Sequence, residues 1–83
     1  MNASVELKDI VSMVVSGLCD LPGRVQIRAA DIDNRHVFIT IICEKSDIKR
    51  IVGREGKNID ALRTLAQAVA AKHSQKMTIS IDE

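Results

Sequence analysis

The sequence is almost without aromatic residues: one Phe, no Tyr and no Trp in 83 residues. A surface that grips a single strand by stacking a row of bases on rings is therefore excluded as the main binding mode. Any ligand must be held by backbone geometry, aliphatic contacts and locally placed charge. Cysteine is scarce too. Cys19 and Cys43 form no CxxC pair, and two cysteines build no metal framework. His36 and His73 lie far apart, with no ligand spacing around them. The expectation is two thiols in a reducing compartment, no metal and no cofactor. Long apolar runs are missing as well. No stretch approaches the roughly 20 residues needed to cross a bilayer. Glu6, Lys8 and Asp9 interrupt the first apolar positions, so the N-terminus does not read as a signal peptide. A cytoplasmic location is expected. Net charge is the last absence: 12 Lys+Arg stand against 11 Asp+Glu, a total of +1. Bulk charge alone cannot hold this chain to nucleic acid.

What is present suffices for one folded domain over residues 1–83. A chain this short buries only about 60% of its unfolded surface, which leaves no room for a second core. A hydrophobic content of 46% beside 28% charged residues argues against disorder.

Leu7, Ile10, Val11, Val14 and Leu18 recur at spacings of three and four, which predicts a helix over 4–18 capped by Ser4. Asp20-Leu21-Pro22-Gly23 ends it. Residues 24–31 alternate, with Val25, Ile27 and Ala29 on one side and Arg24, Gln26 and Arg28 on the other, as in a half-buried strand. A turn over 31–35 leads to a second strand, 36–43, which is apolar on both faces and is expected at the sheet centre. On it, Val37, Ile39, Ile41 and Cys43 face one way. Phe38 and Ile42 face the other and should be partly exposed. Ser46 is expected to cap a short helix ending at Val52. A longer helix follows from about Asn58 to Lys72, with the face Ile59, Leu62, Leu65, Ala66 and Val69. Residues 76–82 alternate as a third strand. The order is α-β-β-α-α-β, an α+β fold. Its first two strands pair as a hairpin, and the helix pair returns the third strand parallel to the second. Three helices then cover one face of a three-stranded mixed sheet.

The informative segment lies between the last two helices. Gly53-Arg54-Glu55-Gly56 places two glycines around two charged residues and feeds the N-terminus of a helix. Glycine permits backbone angles closed to other residues and close approach of another backbone. A helix N-terminus favours an anion. Residues 45–57 carry five basic groups (Lys45, Lys49, Arg50, Arg54, Lys57) against two acidic ones (Asp47, Glu55), a local charge of +3. Residues 1–44 carry four basic and six acidic groups, or −2, so the near-neutral total conceals a basic patch. A P-loop is excluded, because Ile51 stands where its first glycine belongs and Asn58 where its hydroxyl belongs. The dinucleotide fingerprint fails for want of a glycine two residues before Gly53. No nucleophile–base pair or cofactor loop is visible, so the protein is expected not to be an enzyme.

The run from Ile39 through Gly53-Arg54-Glu55-Gly56 to Arg63 resembles the heart of the KH domain family, whose GxxG loop clamps about four nucleotides of a single strand. The extra helix and strand ahead of it are similar to the prokaryotic, type II arrangement. The resemblance covers essentially the whole chain and extends to small single-KH bacterial proteins. It implies a non-catalytic, single-stranded RNA-binding protein, in the manner of an RNA chaperone. It also implies a homodimer, or a heterodimer with a larger KH-containing protein of the KhpB/Jag type. On that reading Gly53 and Gly56 shape the loop, and Arg54 and Lys57 meet phosphates. Lys49 and Arg50 extend the patch, and Ile48, Ile51, Val52 and Ile59 line an aliphatic groove beneath the bases. Glu55 departs from the basic or neutral residue many members carry in the loop; directed at a phosphate it would repel it. The alternative is a KH-fold dimerisation module that acts mainly through a KH-containing partner.

Overall fold

The computed structural model describes residues 3–82. Helix α1 spans Ser4–Leu18, and a single 3-10 turn at Pro22–Arg24 leads into β1, Gln26–Ile32. Strand β2, His36–Ile42, is followed by α2, Lys45–Val52, a second 3-10 turn at Arg54–Gly56, α3 at Lys57–Lys72 and β3 at Lys76–Asp82. The sheet order is β1-β2-β3. Strands β1 and β2 are antiparallel, with Ala29 opposite Ile39; β2 and β3 are parallel, with Ile39 opposite Ile79. This is the type II KH arrangement, with β2 central as its two apolar faces require.

The β1–β2 turn is made by Asp33 and Asn34, with φ of 54° and 55°. These residue types tolerate left-handed backbone, and its twist suits a hairpin. The core lies between the helices and the inner sheet face. Leu7, Val11 and Val15 of α1 meet Val37, Ile39 and Ile41 of β2, with Ile51, Ile59, Leu62, Ala66, Ala70, Met77 and Ile79. Phe38 and Ile42 face away, and Phe38 is 41% exposed.

Several local expectations are corrected. Ala3, not Ser4, takes the cap position of α1; its buried N–H donates to Gln75 Oε1 at 2.8 Å. Val15 is fully buried although the expected face omitted it, because the stripe that packs is rotated toward the Leu7–Val11–Val15 side. β1 begins at Gln26, so Arg24 sits in the preceding turn, 3.7 Å from Glu44. Glu44 precedes α2 where Ser46 was expected to cap it. Leu65 is 61% exposed, and Ala70 is buried in its place. At 3.6 residues per turn, Leu65 lies about 100° around α3 from Ala66, while Ile59, Leu62, Ala66 and Ala70 share one stripe.

Candidate nucleic-acid interface

Helix α2 has two unlike sides. Asp47 and Ile51 turn inward, and the exposed Arg50 lies beside them. Ile51 and the Asp47 side chain are fully buried. Asp47 Oδ1 accepts the Asp20 N–H at 2.9 Å, and Oδ2 accepts the Leu21 N–H at 3.0 Å, which fastens α2 to the chain leaving α1. Arg50 reaches Asp20 Oδ2 at 2.8 Å and Asp47 Oδ1 at 3.4 Å, and donates to the Ser46 carbonyl at 2.9 Å. The Asp20 N–H holds the Asp47 carboxyl below the usual carboxylate range. The Leu21 N–H and the Arg50 guanidinium add to the shift, while burial opposes it.

The other side of α2 opens to a groove of about 520 Å³ lined by Ile48, Lys49, Val52, Gly53 and Arg54. At its end the backbone reverses through three residues of positive φ: Gly53 at 78°, Glu55 at 57° and Gly56 at 76°. The turn is closed by Gly53 N–H to Lys49 O at 2.9 Å and Gly56 N–H to Gly53 O at 3.1 Å. Gly56 precedes α3, whose N-terminus has no side-chain cap; the Gly56 N–H donates to Gly53 O and the Lys57 N–H to Arg54 O within the turn. The turn exposes Arg54 and Glu55 together.

The structure therefore divides the expected site. Ile48, Lys49, Val52, Gly53 and Arg54 come together around the groove, and Glu55, Gly56 and Lys57 continue from it. Lys49, Arg54 and Lys57 make no ion pair among the described residues. Two expectations are corrected. Ile51 is completely buried and Ile59 is 5% exposed, so both belong to the core beneath the groove and not to its wall. Arg50 points to the opposite side of α2, where two carboxylates hold it.

The family of KhpA/KhpB KH domains matches residues 8–81. The chain belongs to that family. RNA-binding protein KhpA of Chlamydia caviae is 33% identical over 78 residues, covering 93% of this chain and 97% of the relative. RNA-binding protein KhpA of Listeria monocytogenes is 29% identical over 77 residues, covering 93% and 100%. No solved structure matches the chain significantly.

This KhpA/KhpB-type domain also uses two residues that periodicity did not single out. Asp47 entered only as a negative charge within the patch. The spacing Asp47–Arg50–Ile51 along one helix side was the available signal for an inward role. Asn58 packs against Gly53 and donates from Nδ2 to the Arg50 carbonyl at 2.8 Å. An Asn in the first turn of a helix that follows GxxG gave no hint of that partner.

Proposed function

We propose that the chain is a non-catalytic single-stranded RNA-binding module, gripping the sugar-phosphate backbone with Gly53-Arg54-Glu55-Gly56 and seating bases over Ile48 and Val52. The observation that carries this reading is the apolar groove ending at a left-handed loop ahead of a helix N-terminus without a side-chain cap, with Lys49 and Arg54, which make no ion pair among the described residues, at its rim. The names of the KhpA relatives support RNA as the ligand. The loop turns the strand's phosphates toward backbone N–H groups, Lys57 and Arg54, while Ile48 and Val52 offer contacts that do not depend on stacking. Glu55 lowers affinity by its charge. An RNA chaperone fits such a grip, because a few phosphate contacts bind weakly and release readily.

About 3–4 phosphates neutralised gives a shallow salt dependence, near −0.7 per phosphate. Replacing Arg54 and Glu55 together by Asp abolishes binding of a labelled oligouridine in fluorescence anisotropy and leaves the circular dichroism spectrum unchanged. Undiminished binding by that variant would show that the loop is not the grip.

A second reading is a dimerisation module working through a second copy or a KhpB/Jag-type partner in the cytoplasm. The exposure of Leu65 on α3 and Phe38 on the open sheet face favours it. Pairing would raise avidity without any new contact to RNA. Sedimentation with and without RNA separates the readings: a monomer that binds RNA unaided excludes the second.

A further inference from the structure

The loop has an energetic difficulty of its own. Three of its four residues have positive φ, and one of them is Glu55. A left-handed non-glycine residue carries a steric penalty, because its Cβ crowds the following carbonyl oxygen. Neither Arg54 nor Glu55 is held by a side-chain partner among the described residues, and both are exposed. Within the loop, the Gly56 N–H to Gly53 carbonyl bond, at 3.1 Å, spans the turn. Such a turn, left to itself, would sample other conformations.

We propose that Asn58 is the positioning residue that holds the loop in its RNA-gripping shape. Its Nδ2 donates to the Arg50 carbonyl at 2.8 Å, joining the last turn of α2 to the first turn of α3 across the loop. That carbonyl belongs to the α2 C-terminus, where helix carbonyls lack partners within the helix. The same side chain sits on the face of Gly53. A Cβ at that position would lie 2.6 Å from Asn58 Cγ and 2.9 Å from its Cβ. Gly53 is therefore required twice, by its φ of 78° and by the carboxamide packed on it. The first glycine of the loop makes space for the clamp as well as for a ligand. Gly56 differs: a Cβ there would meet only Asp60 Oδ2, at 3.8 Å, which is ordinary contact. Asn58 need not touch RNA to act; it lowers the conformational cost of presenting the loop.

This inference rests on the RNA-binding reading of the loop, and its test keeps the two apart. Asn58→Leu keeps the side chain's size and removes the donor without adding charge. Oligouridine affinity by anisotropy should fall roughly fivefold, the worth of one neutral hydrogen bond. The salt slope should stay that of the native protein, because no phosphate contact is lost. Amide exchange should accelerate at Gly56 and stay unchanged at Ile39 in the central strand. Native exchange at Gly56, or native affinity, in the folded variant would overturn the proposal. If Asn58→Leu does not fold, Asn58→Ala is read by the same criteria. If the native protein binds no oligouridine, the RNA reading fails, and Gly56 exchange alone decides whether Asn58 is the clamp.

Discussion

The two sides of α2 carry similar chemistry to opposite ends. Both present a basic residue and an isoleucine: Arg50 and Ile51 on one side, Lys49 and Ile48 on the other. On the inner side Asp47 and Arg50 both have protein partners and the isoleucine is sealed in the core. On the outer side Lys49 makes no ion pair among the described residues, and the isoleucine lines an open groove. A helix of eight residues thus separates stability from recognition by rotation alone, since at 3.6 residues per turn neighbours lie about 100° apart. Net charge along the segment says nothing of this division. What matters is which cations already have a carboxylate.

The sharpest way to break the contrast is to truncate the two isoleucines. Ile51→Ala should cost about 2–5 kcal/mol, the range for a large aliphatic residue emptied from a core. A domain of this size has only about 5–15 kcal/mol to lose. Ile48→Ala, whose side chain is only partly buried against the core, should lower the urea midpoint clearly less than Ile51→Ala and weaken oligouridine binding. Equal losses of stability from the two variants would mean that α2 has no open side.

Asp47 is the next test. Its carboxyl titrates lower in the folded chain than in the unfolded one. Its stabilising effect is therefore complete above the ordinary carboxylate range and lost as pH falls through the depressed folded value. Asp47→Asn replaces one acceptor oxygen with an NH2 group that must confront the N–H of Asp20 or Leu21. Its Tm near neutral pH should drop by roughly 10 °C, since an unsatisfied buried donor is expensive in a small domain. Below about pH 4 the gap to the native protein should narrow, because the unfolded chain's carboxyl takes up a proton there while the native one keeps its charge to lower pH. A gap independent of pH would remove the electrostatic account of this anchor.

The sequence made some of this division legible. Two-sided apolarity placed β2 in the centre, alternation set the strand faces, and GxxG with its flanking charges located the loop. The ion pair of Arg50 is not legible for a physical reason: its partner Asp20 lies beyond two strands of intervening sequence, and periodicity reports faces, not distant partners. Ile51 and Ile59 were misread because an apolar residue near a loop looks the same from sequence whether it walls a groove or underlies it. Asn58 was missed because its acceptor is a backbone carbonyl, which has no letter of its own. Leu65 was assigned to the core because a three-four pattern admits an adjacent stripe, and only the packed angle of α3 chooses between them.

At the junction of the two sides stands Gly53. Gly53→Ala forces a Cβ into the Asn58 side chain and into backbone angles that L residues rarely adopt. Roughly 2–4 kcal/mol of stability should be lost, by strain and overpacking together. The β1–β2 turn is the control. Asn34 also has positive φ, at 55°, but sits exposed. Asn34→Gly should change the urea midpoint little, since glycine takes such angles freely. The contrast fails if Gly53→Ala is tolerated as easily.

The smallest effect is the most specific, and it pits Arg54 against Arg50. Arg54→Gln should leave Tm almost unmoved, because the exposed side chain makes no ion pair among the described residues. It should reduce the slope of log affinity against log salt by about 0.7, one phosphate's share on a single strand. Arg50→Gln should do the reverse. Its carboxylates are released, but Arg50 and Asp20 are both substantially exposed, so solvent screening keeps the loss to at most about 1 kcal/mol. The salt slope stays near native, because the guanidinium is bound to Asp20 and Asp47 on the side away from the groove. Measuring both slopes and both melting curves on the two variants decides whether charge on α2 is divided by side. A slope reduced equally by either substitution would show that Arg50 leaves its carboxylates when RNA arrives, and that the inner side of the helix takes part in recognition.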